Sequence, residues 1–563
     1  MTWFGRAARS VVVVVVSACG VEPAALEVEP PAQAVAQLAQ PTSLVLGAVS
    51  NALAADGTTA VVATVLNADG SLFTARSVPV TFTSGCSVAN RSTLDANSTT
   101  AAGLASALYQ PAGCVGPDVV TARVSAGATT LSATTTVQVS STRGLSALAS
   151  LGRTLFFDKA LSASGAVSCA SCHAPQLGYL ATGPSPAPLG GMTNQVIGFR
   201  SAPSAAYAAL APPFRYLPAT NNAGTVNNVI TGKLGTPRGG LMWDGRASTV
   251  VDQARGPFLG PHEMANANAA AVRAKVLTRP WLSTFVAVFG ATTATTNADT
   301  VLAELATAIA QFEAEDASFA PFSSKFDAVQ RGAASFTAQE ANGRAIFSDP
   351  SRGACTGCHN STGQSQVSPG PEVFTDRSYR ALAVPRNWRL PYNVDTTAVA
   401  TLSSLGLTAL LNGAALGAPG HRYYDLGFCG PFRTDALLDA PTCGAFKVPG
   451  LRNVALKQSY FHNGVYAALA DVIHFYVTRD VAPQQIYLKA DGTADVAFND
   501  LPVQFQKNRE VRPPFTPRPS GPRLTSNDVQ DLVTFLCTLT DGYDPGHPAA
   551  YRLPLQCRLA VRP

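Results

Sequence analysis

Two short segments carry chemistry. Cys169-Ala170-Ser171-Cys172-His173 and Cys355-Thr356-Gly357-Cys358-His359 each set two thiols three positions apart with a histidine directly after them. That spacing suits covalent attachment of a c-type haem. The thiols bond the porphyrin vinyl groups, and the histidine turns back to ligate the iron. With 11 Cys and 7 His in 563 residues, even one such run by chance is rare. One zinc site built from the four cysteines would leave both histidines unexplained. A redox Cys-x-x-Cys of the thioredoxin kind would need a βαβ setting, which the chain lacks. Two covalently bound haem c groups are therefore expected, on Cys169, Cys172, Cys355 and Cys358, with His173 and His359 as iron ligands.

The elements that must position these motifs repeat. Leu151-Gly152-Arg153-Thr154-Leu155-Phe156 precedes the first motif, and Asn342-Gly343-Arg344-Ala345-Ile346-Phe347 precedes the second. Each reads as an amphipathic helix, then a loop, then the motif, which implies an internal duplication. Thr337 and Glu340 form a capping box at the start of the second helix. Further helices are expected over 299–313 and 525–539. The pattern predicts two mainly α cytochrome c-type domains, at 145–335 and 336–545, and a C-terminal tail at 546–563.

The remaining axial positions follow in part from a census. The four Met residues are Met1, Met192, Met242 and Met264. A second haem ligated by its own downstream chain thus has no Met to use; His421, His462, His474, His547 or a Tyr could serve. For the first haem an open iron is expected, with Met192 as the rival ligand.

Upstream, the texture differs. Residues 1–18 read as an export leader, with Arg6 and Arg9 before a short apolar run, Val11 to Val16. Val16-Ser17-Ala18-Cys19 resembles a bacterial lipobox, so Cys19 is the expected lipid site and the only membrane attachment. Residues 19–40 have the composition of a flexible tether. Residues 41–140 are rich in Val, Thr and Ser with strand-like alternation at 59–65, 78–83, 119–124 and 131–139, an all-β sandwich pattern. That stretch resembles bacterial immunoglobulin-like domains of the invasin type. Six cysteines remain, and pairing them locally as Cys86 with Cys114, Cys429 with Cys443 and Cys537 with Cys557 leaves none over. Apolar residues at 46% exclude a disordered chain. A net charge of +5 without any basic block gives no footprint for nucleic acid.

Two longer passages point to a family. Trp243-Asp244-Gly245-Arg246 with Gln253, Pro257 and Glu263-Met264, and Phe446 to Val454 with Tyr460-Phe461-His462-Asn463-Gly464, resemble the inter-haem loop and second-haem segment of bacterial di-haem cytochrome c peroxidases and MauG-type enzymes. The likeness spans about residues 145–545. It implies a peroxidase-type oxidoreductase that meets hydrogen peroxide at the first haem. Glu263 and Gln253 would lie in its distal pocket, Pro257 would shape that pocket, and Trp243 would lie between the haems. It places Tyr476 where classical members carry a Met ligand of the second iron and MauG-type members carry Tyr. A thioether favours ferrous iron; a phenolate, a hard anion, favours ferric and higher states, so a His/Tyr haem would share oxidising equivalents with its neighbour. The electron donor or protein substrate is not named by the sequence. The resemblance also implies an inter-haem calcium ion, but its Asn position holds Ser201 and its carbonyl positions fall at Lys457 and Ser459, which weighs against it. Two other readings remain: a pure electron-transfer cytochrome on an immunoglobulin-like stalk, and an interaction protein whose β region carries the function.

Overall fold

The computed structural model describes residues 40–563 except 102, 128, 142–143, 184, 218–235, 292–296, 361–363, 366–367, 370–371, 395–423, 434, 436–441, 517–521, 547, 549–550, 552 and 563. The leader, Cys19 and all but the last residue of the tether lie outside the described residues, as do His421 and His547. Among the described residues no helix is long and apolar enough to cross a membrane.

Residues 43–139 form two sheets. The first has the order β1 (Ser43–Ala48), β3 (Thr59–Leu66), β7 (Leu104–Pro111), β5 (Ser92–Leu94). The second has the order β2 (Ala52–Leu53), β9 (Thr129–Val139), β8 (Gly116–Ala126), β4 (Pro79–Ser84), β6 (Asn97–Thr99). All pairs are antiparallel except β2 with β9. Alternation does what the pleat requires: Val80 and Phe82 of β4 and Val120, Ala122 and Val124 of β8 turn inward. They meet Val61, Ala63 and Val65 of β3 in one core. A buried pair fixes the interior, with Tyr109 Oη donating to Asp118 Oδ2 at 2.8 Å, and Cys86 bonds Cys114 as expected. The β region is seated on the helical part. The Arg153 guanidinium donates to the Asp56 carbonyl, and the Gly144 N–H donates to Asp56 Oδ1 at 2.6 Å.

The duplication is visible as two helix pairs. The Ala147–Phe157 helix crosses Ala298–Glu315, and the Ala338–Ser348 helix crosses Ser526–Cys537. Ser146 caps the first helix and the Thr337/Glu340 box caps its counterpart. Phe156 and Phe347 enter the two cores. The glycine common to both repeats sits at each crossing. A Cβ on Gly152 would lie 1.8 Å from the Ala308 carbonyl oxygen, and one on Gly343 would lie 1.9 Å from that of Asp531. Backbone of the partner helix cannot give way as a side chain can. Gly152→Ala and Gly343→Ala are each expected to cost about 1–3 kcal/mol by overpacking, read as a lower midpoint in denaturant unfolding; unchanged midpoints would contradict these crossings.

The segment expected as a tail instead joins the second core. Leu555–Ala560 is helical, Cys557 bonds Cys537, and Gln556 Nε2 donates to the Ala455 carbonyl at 2.6 Å. The third pair, Cys429 with Cys443, also forms.

Candidate functional site

Each haem motif is shaped in the same way. His173 and His359 follow a single helical turn, and a residue further on bends back through positive φ, Tyr179 at 57° and Phe374 at 55°. Their carbonyls lie 3.2 and 3.0 Å from His173 Nδ1 and His359 Nδ1. A proton on Nδ1 directed at a carbonyl leaves Nε2 as the free lone pair, the tautomer a metal needs. Burial pushes both imidazoles down from their usual range, so they stay neutral and able to ligate. The four motif cysteines are unpaired. Burial raises all four thiols, Cys172 and Cys355 to about 12.

Both motifs open on one cavity of about 750 Å³. Cys172 and His173 line it from one side and Cys355, Cys358 and His359 from the other, and so do Trp243, Gln253, Glu263 and Tyr476. Cys169 and Pro257 are not among the lining residues. Cys169 packs on the first core, and Pro257 lies inside the Val250–Leu259 helix, with its carbonyl accepting the Met264 N–H at 3.0 Å.

That helix ends at Gly260, whose carbonyl accepts the N–H groups of Glu263 and Ala265, both at 2.9 Å. The tight turn returns Glu263 to the first motif, and its charge is felt at both Cys169 and Cys172. Burial raises the Glu263 carboxyl above the usual range, with Arg246 opposing. Tyr476 belongs to the second motif. It stands on the Leu469–Thr478 helix, tilted against Phe515 at 5.3 Å between ring centroids. Burial first, and then Cys358 and Cys355, push its phenol upward. An undisturbed phenol there keeps its proton; a ferric ion alongside would reverse that preference.

Trp243 lines the same cavity, 8% exposed, with Nε1 donating to the Ser201 carbonyl at 2.7 Å. The next residue, Asp244, is fully buried and bonded by Arg200 and Arg246 at 2.8 and 2.9 Å. Burial alone would raise its carboxyl, but the two guanidinium groups outweigh it and hold it below the usual range.

Of the other candidate ligands, some line the cavity and others do not. Met192 is 65% exposed and Met264 is packed in the first core; neither lines the cavity. His474 is exposed, with Nδ1 3.2 Å from Thr478 Oγ1. His462 lines the cavity stacked on Phe446 at 3.6 Å, with burial lowering it to about 3. His262 also lines it, with Nδ1 2.9 Å from the Ile197 carbonyl.

Comparison with known proteins agrees with this geometry. The family model for di-haem cytochrome c peroxidase matches residues 146–335. The methylamine utilization protein MauG of Paracoccus denitrificans is 33% identical over 411 residues, covering 71% of this chain and 90% of that protein. The chain belongs to the di-haem cytochrome c peroxidase/MauG family. The cytochrome c551 peroxidase of Nitrosomonas europaea is 28% identical over 327 residues, covering 58% of this chain and 71% of that protein. The crystal structure of the di-haem peroxidase BthA from Burkholderia thailandensis is similar with a TM-score of 0.57 at 34% identity, covering 70% of this chain and 86% of that one. As a family member the chain is a peroxidase-type oxidoreductase with two covalently bound c-type haems. The paired thiols, the free Nε2 atoms and the shared cavity fit those groups.

One residue at the cavity escaped the sequence reading. Glu313 is 6% exposed and lines it. Its signal was present: it continues the apolar row Leu305, Ile309 at helical spacing, where a carboxyl does not belong unless it has a task. Burial raises it to about 8. The folded protein thus holds a proton that the unfolded chain releases above its ordinary pKa of 4.5. Stability should fall as pH rises between those values, and Glu313→Gln should flatten that slope in thermal melts of the holoprotein. An identical slope in the variant would show that Glu313 is not held neutral.

Proposed function

We propose that hydrogen peroxide reacts at the first haem and that the second haem, ligated by His359 and Tyr476, shares the oxidising equivalents, as in the MauG-type members. One observation carries this reading: a single cavity joins both motifs, with Glu263 beside the first and Tyr476 beside the second. Bound haem supplies the iron that takes up peroxide and the oxidising equivalents released when its O–O bond breaks. The rest falls to the chain. Nε2 of His173 would hold the first iron. The Glu263 carboxylate takes the proton from one peroxide oxygen and returns it to the other, so that water can leave. Gln253 offers an amide to the same pocket. Tyr476 Oη would hold the second iron, and the indole of Trp243, fixed by Ser201, would relay between the two haems. Met192, the rival ligand, does not line the cavity, which supports an open first iron over the electron-transfer reading; Met242 does line it.

We further read residues 41–140 as an immunoglobulin-like sandwich, with haem domains at 145–335 and 336–545. The protein would be exported and held to a bacterial membrane through lipid on Cys19. Electrons would come from a small donor or a protein side chain.

Rapid mixing of the diferric protein with peroxide tests the reading. Wild type should consume one equivalent and oxidise both haems together. In Trp243→Phe, oxidation of the second haem should lag behind the first. Equal rates in the two proteins would remove Trp243 from the path, and no reaction in wild type would leave the electron-transfer reading.

A further inference from the structure

The oxygen cluster where the family resemblance implies calcium does assemble. Ser201 Oγ lies 3.4 Å from the Ser459 carbonyl oxygen and 3.0 Å from the Ser459 hydroxyl, and both residues are buried. A lysine side chain is already in it, its ammonium pushed down to about 8 by burial. Lys457 Nζ donates to Ser201 Oγ at 2.9 Å and to the Ala202 carbonyl at 3.2 Å. Calcium asks for six to eight oxygens, carboxylates prominent among them. Here the described groups are hydroxyls and carbonyls, and among the described residues no carboxylate pairs with Lys457. A dication beside an ammonium at bonding distance would be repelled. The residues present therefore do not fit calcium.

Ser201 is the hub of this arrangement. Its hydroxyl accepts from Lys457, its N–H donates to the His462 carbonyl at 2.7 Å, and its own carbonyl receives the Trp243 indole at 2.7 Å. A loop of the first haem unit is thus tied to a segment of the second, and the tie ends on the inter-haem tryptophan. Lys457 also lines the cavity, close enough to His173 to help keep that imidazole neutral. Two of its three N–H groups are used within the chain. Porphyrin propionates are the anions that bound haems would bring to the cavity.

We propose that the ammonium of Lys457 is the resident cation of the inter-haem junction, standing where a calcium ion would otherwise sit and positioning Trp243 through Ser201. The consequence for Trp243 rests on the electron-sharing reading above; the cation assignment does not.

The test uses the purified di-haem protein. Elemental analysis of wild type should find no stoichiometric calcium, and treatment with a chelator followed by desalting should leave the absorption and magnetic-resonance spectra unchanged. One calcium per chain whose removal alters those spectra would overturn the proposal. Ser201→Asn combined with Lys457→Ala should gain a calcium ion and become chelator-sensitive; a folded, haem-loaded double variant that refuses calcium would show that the ammonium is not what keeps the ion out. Lys457→Met should shift the first haem's reduction potential downward, because a positive charge near the iron disfavours the ferric state, while Lys457→Arg should retain most of the wild-type value. An unmoved potential in Lys457→Met would count against Lys457 as a positioning cation. None of these readouts requires peroxide turnover, so their failure is distinct from failure of the peroxidase mechanism.

Discussion

Glu263→Gln is expected to slow the reaction with peroxide by about 10²–10⁴-fold, the usual contribution of a positioned proton shuttle, while leaving haem content and the resting spectrum intact. The turn after Gly260 returns this carboxyl group to the first motif. Gln keeps its shape and loses its proton chemistry. Because burial raises the Glu263 carboxyl, and because the carboxylate must be ionised to accept the peroxide proton, activity in wild type should fall on the acid side at a pH above that of an ordinary carboxylate. In Glu263→Gln that acid limb should vanish along with the rate. Measuring kcat/KM against pH in both proteins checks it. A variant with near-normal rate, or one that keeps the same acid limb, would show that another group moves the proton.

The second large effect is expected at Tyr476. Tyr476→Met should raise the second haem's reduction potential by on the order of a few hundred millivolts, since axial ligand identity is a main control of haem potential. A phenolate stabilises the ferric iron; a thioether stabilises the ferrous iron. The variant's second haem should then be readily reduced by mild donors and should no longer share oxidising equivalents with the first. The geometry permits the swap. Tyr476 stands on a helix already packed by Phe515 and Phe461, and Met adapts to irregular space. Redox titration with absorption detection measures the shift. An unchanged potential and spectrum would take Tyr476 off the iron.

The haem positions were legible because Cys-x-x-Cys-His is local: the thiols and imidazole of one cofactor lie within five residues. The repeat was legible for a similar reason, since Gly152 and Gly343 hold the same place in the same helix and meet the same kind of obstacle. Three disulfides followed from counting and form as paired. What the pattern missed is what depends on distant chain. Strand β7 reads Leu-Ala-Ser-Ala-Leu-Tyr-Gln-Pro, and Ala is depleted in strands, so its place is set by pairing with β3 rather than by local preference. Tyr476 looks by spacing like any aromatic on an apolar helix face; family likeness, then its position beside Cys355 and Cys358, singles it out. The positive charge that Lys457 brings near the calcium position was legible, but that its side chain reaches Ser201, 256 positions away, was not. The segment 546–563 lacked any apolar run long enough to announce a packed helix, and its anchoring comes from the Cys537 bond and Gln556.

The state of the two irons is the most direct readout of the proposed mechanism. Low-temperature magnetic resonance of the purified diferric protein, before and after one equivalent of peroxide, reads both at once. The expected result is one high-spin and one low-spin ferric signal at rest, both lost together on oxidation while the protein retains two oxidising equivalents. Two low-spin irons that do not respond to peroxide would contradict it.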